Sequence, residues 1–198
     1  MPAVDARRAL LTRLFDHAAM FPPAGLPLDE ALAEDDRARA SAHSWLLARF
    51  VVPEGTVVRD RELAIVGDGI ERQGDVRFVE GQTKIRCGGA RVPSVEELAD
   101  FVRSAPAPFK ATAGLHHAYP TETGEHGFLN LLAAVVFGDE EEALRAPRGS
   151  FELDERSFRW HGREADASRC AQARRRFRSI GSCSFFEPVG ELEELGIL

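Results

Sequence analysis

Residues 83 to 89, Thr-Lys-Ile-Arg-Cys-Gly-Gly, and residues 109 to 117, Phe-Lys-Ala-Thr-Ala-Gly-Leu-His-His, hold two short apolar runs, Thr83 to Cys87 and Phe109 to Ala113, each ended by glycine. Between them Ser94-Val95-Glu96-Glu97 has the spacing of a capping box, Leu98, Phe101 and Val102 supply a buried face, and Pro106 stops the helix. The segment therefore reads as strand, helix, strand. Each run carries one lysine, and Lys84 and Lys110 are the only lysines among 25 Lys and Arg residues. A lysine amine can lose its proton where a guanidinium cannot, so the contrast points to chemistry at a pair of amines. The alternative is that both side chains snorkel to a sheet edge.

Downstream, Glu125 to Phe137 repeats Phe128, Leu131, Leu132, Val135 and Val136 at helical spacing, with His126 and Asn130 one turn apart on another face. Asp139 to Glu142 reads as a solvated helix start. Phe151 to Leu153 and Phe158 to Trp160 flank Asp154 to Ser157 as an inserted β-hairpin near 150 to 160, and a helix over about 164 to 177 leads to a last strand at Ser179 to Phe185 and a short C-terminal helix. Upstream, residues 3 to 20 read as an amphipathic helix ended by Phe21-Pro22-Pro23-Ala24-Gly25, residues 27 to 44 as a second helix, and Leu46 to Val52 as a buried strand. Leu63 to Val66 and Val76 to Val79 are separated by Gly67-Asp68-Gly69 and Gln73-Gly74-Asp75, which is turn chemistry and argues for hairpins or a meander.

These alternations define an α/β chain read as a single domain over 1 to 198, with an abbreviated (β/α) barrel-like or half-barrel parallel sheet. An α+β arrangement is the alternative. A full eight-unit barrel takes about 250 residues, so the shortening is expected between 53 and 83. An open half-barrel would pair with a second copy as a homo-oligomer.

A net charge of −7 argues against nucleic acid or an anionic membrane as partner, and the cluster Arg174 to Arg178 is read as serving a helix C-terminus. Cys87, Cys170 and Cys183 show no CxxC spacing, which fits a reduced, cytoplasmic protein without a disulfide framework. No signal peptide is evident, and no apolar run reaches a membrane span.

The strand C-termini of a parallel sheet gather the reactive groups. Lys110 is read as a Schiff-base nucleophile with Lys84 tuning it, because a second ammonium or burial frees an amine for carbonyl attack. Glu80 joins from the preceding segment, and His116 or His117 moves protons. Arg86, Gly88, Gly89 and Thr112, with His126 and Asn130, are read as the substrate-binding set, with the Gly-Gly pair and the helix start at Ser94 offering an anion site. This makes the chain a lyase or isomerase of a small anionic carbonyl compound, with no cofactor and no metal in the leading reading. A non-catalytic binding module for a phosphorylated or carboxylated metabolite is one rival. A metal-dependent hydrolase using His116 or His117, His126 and Glu80 or Glu125 is the other. Cys183 has no base adjacent in sequence and reads as a small buried thiol.

Phe21-Pro22-Pro23, Lys84-Ile-Arg-Cys-Gly-Gly89, Phe109 to His117, His126-Gly-Phe-Leu-Asn130 and Gly181-Ser-Cys-Ser-Phe185 together resemble an uncharacterised bacterial family of conserved hypothetical proteins. That resemblance carries no activity. Lys84 and Lys110, each followed by small residues and glycine, are locally similar to the lysine strands of class I aldolases of the deoxyribose-phosphate type. This second resemblance implies one lysine as Schiff base and another as its partner.

Overall fold

The computed structural model describes residues 5–198. Eight strands form its main sheet: β1 (Phe15–His17), β2 (Leu47–Pro53), β3 (Leu63–Gly67), β4 (Ile70–Gln73), β5 (Val76–Val79), β6 (Lys84–Arg86), β7 (Phe109–Thr112) and, after an excursion, β11 (Phe177–Ser182). Their spatial order is β5-β4-β3-β2-β1-β11-β7-β6. From β3 to β6 every pairing is parallel, while β3, β4 and β5 are joined antiparallel. The two edges approach through one parallel bridge between Glu80 and Lys84. The sheet is thus nearly closed, and the α/β fold is barrel-like.

The shortening falls where the turn residues place it. At the β3–β4 corner Asp68 and Gly69 both take positive φ, 52° and 73°, as a tight hairpin requires. The hairpins replace crossover helices. One connection departs from the expected meander, since β2 and β3 pair in parallel across residues 54 to 62 without a helix.

Helices cover the outside: α1 (Ala6–Leu11), α2 (Leu28–Ala40), α3 (Val95–Ser104), α4 (Phe128–Phe137), α5 (Glu140–Arg145), α6 (Ala167–Arg176) and α7 (Phe186–Glu194). α1 packs on α6, α4 on α5, and α2 on β2. Phe15, Phe109, Ala111, Phe177 and Ile180 face this layer and join Leu98, Val102, Leu131 and Leu132 in one apolar core. The expected capping box is present, with Glu97 N–H donating to Ser94 Oγ at 3.2 Å and Ser94 N–H to Glu97 Oε2 at 2.8 Å. Two arginines of the basic cluster bond carbonyls near the ends of α1 and α3: Arg174 reaches Thr12 O at 3.2 Å, and Arg176 reaches Val102 O. Among the described residues no helix is long and apolar enough to cross a membrane.

Three expectations are corrected. The single opening helix over 3 to 20 is a short α1 and then β1; the turn between them places Arg13 at φ 54°, and residues 3 and 4 lie outside the described range. The insert is a three-stranded antiparallel sheet rather than a hairpin, because β8 (Glu152–Leu153) and β9 (Ser157–Trp160) are followed by β10 (Arg163–Asp166). Ile70–Gln73, of which only Gln73 was assigned, to a turn, is the strand β4.

Candidate functional site

Inside the barrel, Lys84 and Lys110 are register partners on β6 and β7, so their side chains leave the sheet on the same face. Both are buried, at 6% and 0% exposure, so neither snorkels to an outer edge. Both line a cavity of about 130 Å³ at the C-terminal end of the parallel strands, with Glu71, Arg86, Thr112, His116, Gly181 and Cys183. Phe21, Pro22 and Pro23, from the loop after β1, form its apolar wall.

Lys110 is fully engaged. Its Nζ donates to Asp16 Oδ2 at 2.7 Å and to Glu71 Oε1 at 2.5 Å. Because β4 and β7 are not neighbours in the sheet, the Glu71 contact spans the barrel interior. Gln73 Nε2 donates to the same two oxygens at 2.8 and 2.9 Å, and Ser179 Oγ donates to Asp16 Oδ2 at 2.5 Å. Burial alone would drive the proton off Lys110, but the Asp16 and Glu71 carboxylates outweigh it and hold the ammonium above the ordinary lysine value. Burial likewise works against the Asp16 charge, and Lys110 with Ser179 overcomes it, so that carboxyl stays below its usual range.

Lys84 is the opposite case. Among the described residues its Nζ makes no hydrogen bond, and the one carboxylate oxygen in ion-pair range is Glu80 Oε2, at 3.9 Å. Burial pushes its pKa down; Glu71 and Glu80 oppose that, while Lys110 and Arg86 add to it. Of the two amines, Lys84 is the one whose charged form is disfavoured by its surroundings. The sequence expectation had Lys84 lowering the Lys110 value; instead Lys110 is held up, and at Lys84 burial is the largest cause, with the Lys110 ammonium a smaller one.

Around the pair the floor is kept open by a missing side chain. A Cβ on Gly181 would lie 2.6 Å from Thr112 Oγ1 and 3.8 Å from Lys110 Nζ, so glycine there preserves space beside both. Arg86 faces the cavity and forms no ion pair among the described residues, although its N–H donates to Glu80 Oε1 at 3.1 Å. His116 Nδ1 lies 2.9 Å from Oε2 of the largely exposed Glu187, and its Nε2 lies 3.7 Å from Cys183 Sγ.

Other residues of the expected set lie elsewhere. His117 faces away toward α7, where its Nδ1 meets Glu191 Oε1 at 2.6 Å. His126 is buried with Nε2 on Pro93 O at 2.8 Å, and Asn130 donates to Ala143 O and Ala146 O at 2.8 Å, pinning the turn after α5. Neither lines the cavity. Gly88 is a packing residue: a Cβ there would come within 2.6 Å of Gly114 Cα, where the loops after β6 and β7 touch. Gly89 sits beside the Arg86 guanidinium. The α3 N-terminus is occupied by its own Glu97 and flanked by Glu96, so it offers no welcome to an anion. The histidine and glutamate set considered for a metal is not gathered, and the described residues contain no group of three His, Cys, Asp or Glu positioned to hold one.

Asp16, Glu71, Gln73 and Ser179 were missed by the sequence reading, because β1 and β4 were not recognised as strands and Ser179 was taken as a strand start only. No family model, curated protein or solved structure matches the chain.

Proposed function

We propose that the cavity performs Schiff-base chemistry on a small carbonyl compound bearing an anionic group, as a lyase or isomerase. Lys84 is the attacking amine. The observation that carries this is the difference between two register-paired lysines: one bonded to two carboxylates, the other buried, without a hydrogen bond among the described residues, and lining the cavity. Such an amine adds to a carbonyl carbon to give a carbinolamine, and loss of water leaves the iminium. Lys110 stays protonated and fixes Asp16 and Glu71, so the roles of the two lysines are exchanged relative to the sequence expectation. His116, on the cavity wall beside Glu187, transfers protons. Arg86, which lines the cavity and has no ion pair among the described residues, supports binding of the anionic group.

Reduction with borohydride in the presence of a panel of aldehydes and ketones tests this by peptide mass. The expected result is an alkylated Lys84, absent from Lys84→Met and formed more slowly when His116 is replaced. Modification that persists in Lys84→Met, or an unmodified Lys84 with every compound tried, contradicts it.

A further inference from the structure

The cavity wall carries a second group of reactive type that this mechanism does not use. Cys183, just past β11, places Sγ 3.7 Å from His116 Nε2, while His116 Nδ1 is 2.9 Å from Glu187 Oε2. Thiol and imidazole thus stand as nucleophile and base, with a carboxylate close to the far ring nitrogen. Three different segments supply them: the end of β11, the loop after β7 and the first turn of α7. The thiol is half-buried and lines the same cavity as Lys84, whereas Cys87 and Cys170 are fully buried away from it. Ser182 Oγ is also near the imidazole, at 3.5 Å from Nδ1, but it already donates to Ser184 O at 2.6 Å.

We infer that Cys183 is a second covalent site of the cavity, capturing the carbonyl carbon of a small aldehyde as a hemithioacetal with His116 as its base. In that step the Sγ–C bond forms and the carbonyl π bond breaks. The thiol proton passes to His116 Nε2 and then to the new alkoxide oxygen, leaving a neutral adduct. No electron leaves the system, no group departs, and no oxidant is required. Addition without a leaving group suits this site better than acyl transfer, since only one proton has to be moved and returned. Burial pushes the Cys183 thiol above its ordinary value, against a weaker opposing hydrogen bond from Ala24, so the resting group is a thiol and depends on its base. The adduct is reversible, and the returned aldehyde lies in the cavity that holds the Lys84 amine. The inference rests on the carbonyl reading for its ligand class, but its thiol chemistry is tested separately.

Alkylation by iodoacetamide at near-neutral pH, followed by mass for each cysteine, reads the base directly, with buried Cys87 and Cys170 as internal references. Cys183 is expected to react first, and His116→Gln to slow it about 100-fold, the lower end of general-base effects. Equal rates in His116→Gln and the unaltered protein overturn the assignment. In Lys84→Met, which cannot form an imine at that position, acetaldehyde or glyoxylate is expected to protect Cys183 from iodoacetamide. Unchanged labelling with aldehyde present overturns the capture. Borohydride trapping on Lys84 in Cys183→Ser fails only if the lysine reading fails, so the two failures are distinguishable.

Discussion

Lys110 is a charge placed where water cannot reach it, and two carboxylates take the place of that water. Replacing it with methionine leaves Asp16 and Glu71 facing each other without the shared cation, and breaking a buried pair in this way costs about 3–5 kcal/mol. Urea unfolding of Lys110→Met should show that loss. The same measurement on Lys84→Met should shift by only about 1 kcal/mol or less, because its one ion pair is long and made with a half-exposed Glu80. The pH dependence has two limits of opposite sign. Asp16 is lowered in the folded state, so its contribution is complete above the reference value of 3.8 and is lost as pH falls through the folded value. Lys110 is raised, so its contribution is complete below 10.5 and is lost as pH rises through the folded value. Stability from this cluster should therefore be flat between those references in urea midpoints, and Lys110→Met should remove much of the acid limb. Gly181→Ala should cost about 1–3 kcal/mol, the usual effect of forcing a methyl group into a filled space, and should also weaken aldehyde protection of Cys183.

Elements read from the sequence divide by what their inner faces carry. The strand, helix, strand unit from β6 to β7 was legible because its outer residues are apolar and Ser94 to Glu97 announces the helix. That cap is worth about 1 kcal/mol, so Ser94→Ala should lower the unfolding free energy from urea titration by about that much without changing trapping at Lys84. The turns of the β3 to β5 region were equally plain in Gly67-Asp68-Gly69 and Gln73-Gly74-Asp75. β1 and β4 were not, and the reason is physical. A strand lining a polar barrel interior turns Asp16, Glu71 or Gln73 toward the core, which inverts the alternation by which half-buried strands are recognised. Phe15-Asp16-His17 is buried throughout, yet two of its three residues are ionisable. The lysines were visible as an anomaly of composition. Their partners were not, because Asp16 and Glu71 are two acidic residues among 32.

Across the protein as a whole, the near-closed sheet turns scattered residues into one environment. Asp16, Glu71, Lys84, Lys110 and Ser179 come from five strands, and the closure at Glu80 and Lys84 sets β6 beside β5 at the cavity. Helices bury the outer face, so the inner face is free to be polar. That division lets a protein of 198 residues hold two lysine side chains in unlike surroundings within one cavity.

The difference between those states can be read directly, because carbon-13 labelling of the lysine ε positions yields only two side-chain signals in this protein. A nuclear magnetic resonance titration of both, assigned with Lys84→Met, is the sharpest probe of the distinction between the two lysines. Lys84 should titrate below the ordinary value of 10.5 and Lys110 above it. Titration of Lys110 at the lower pH, or of both signals together at the ordinary value, would contradict the assignment of Lys84 as the reactive amine.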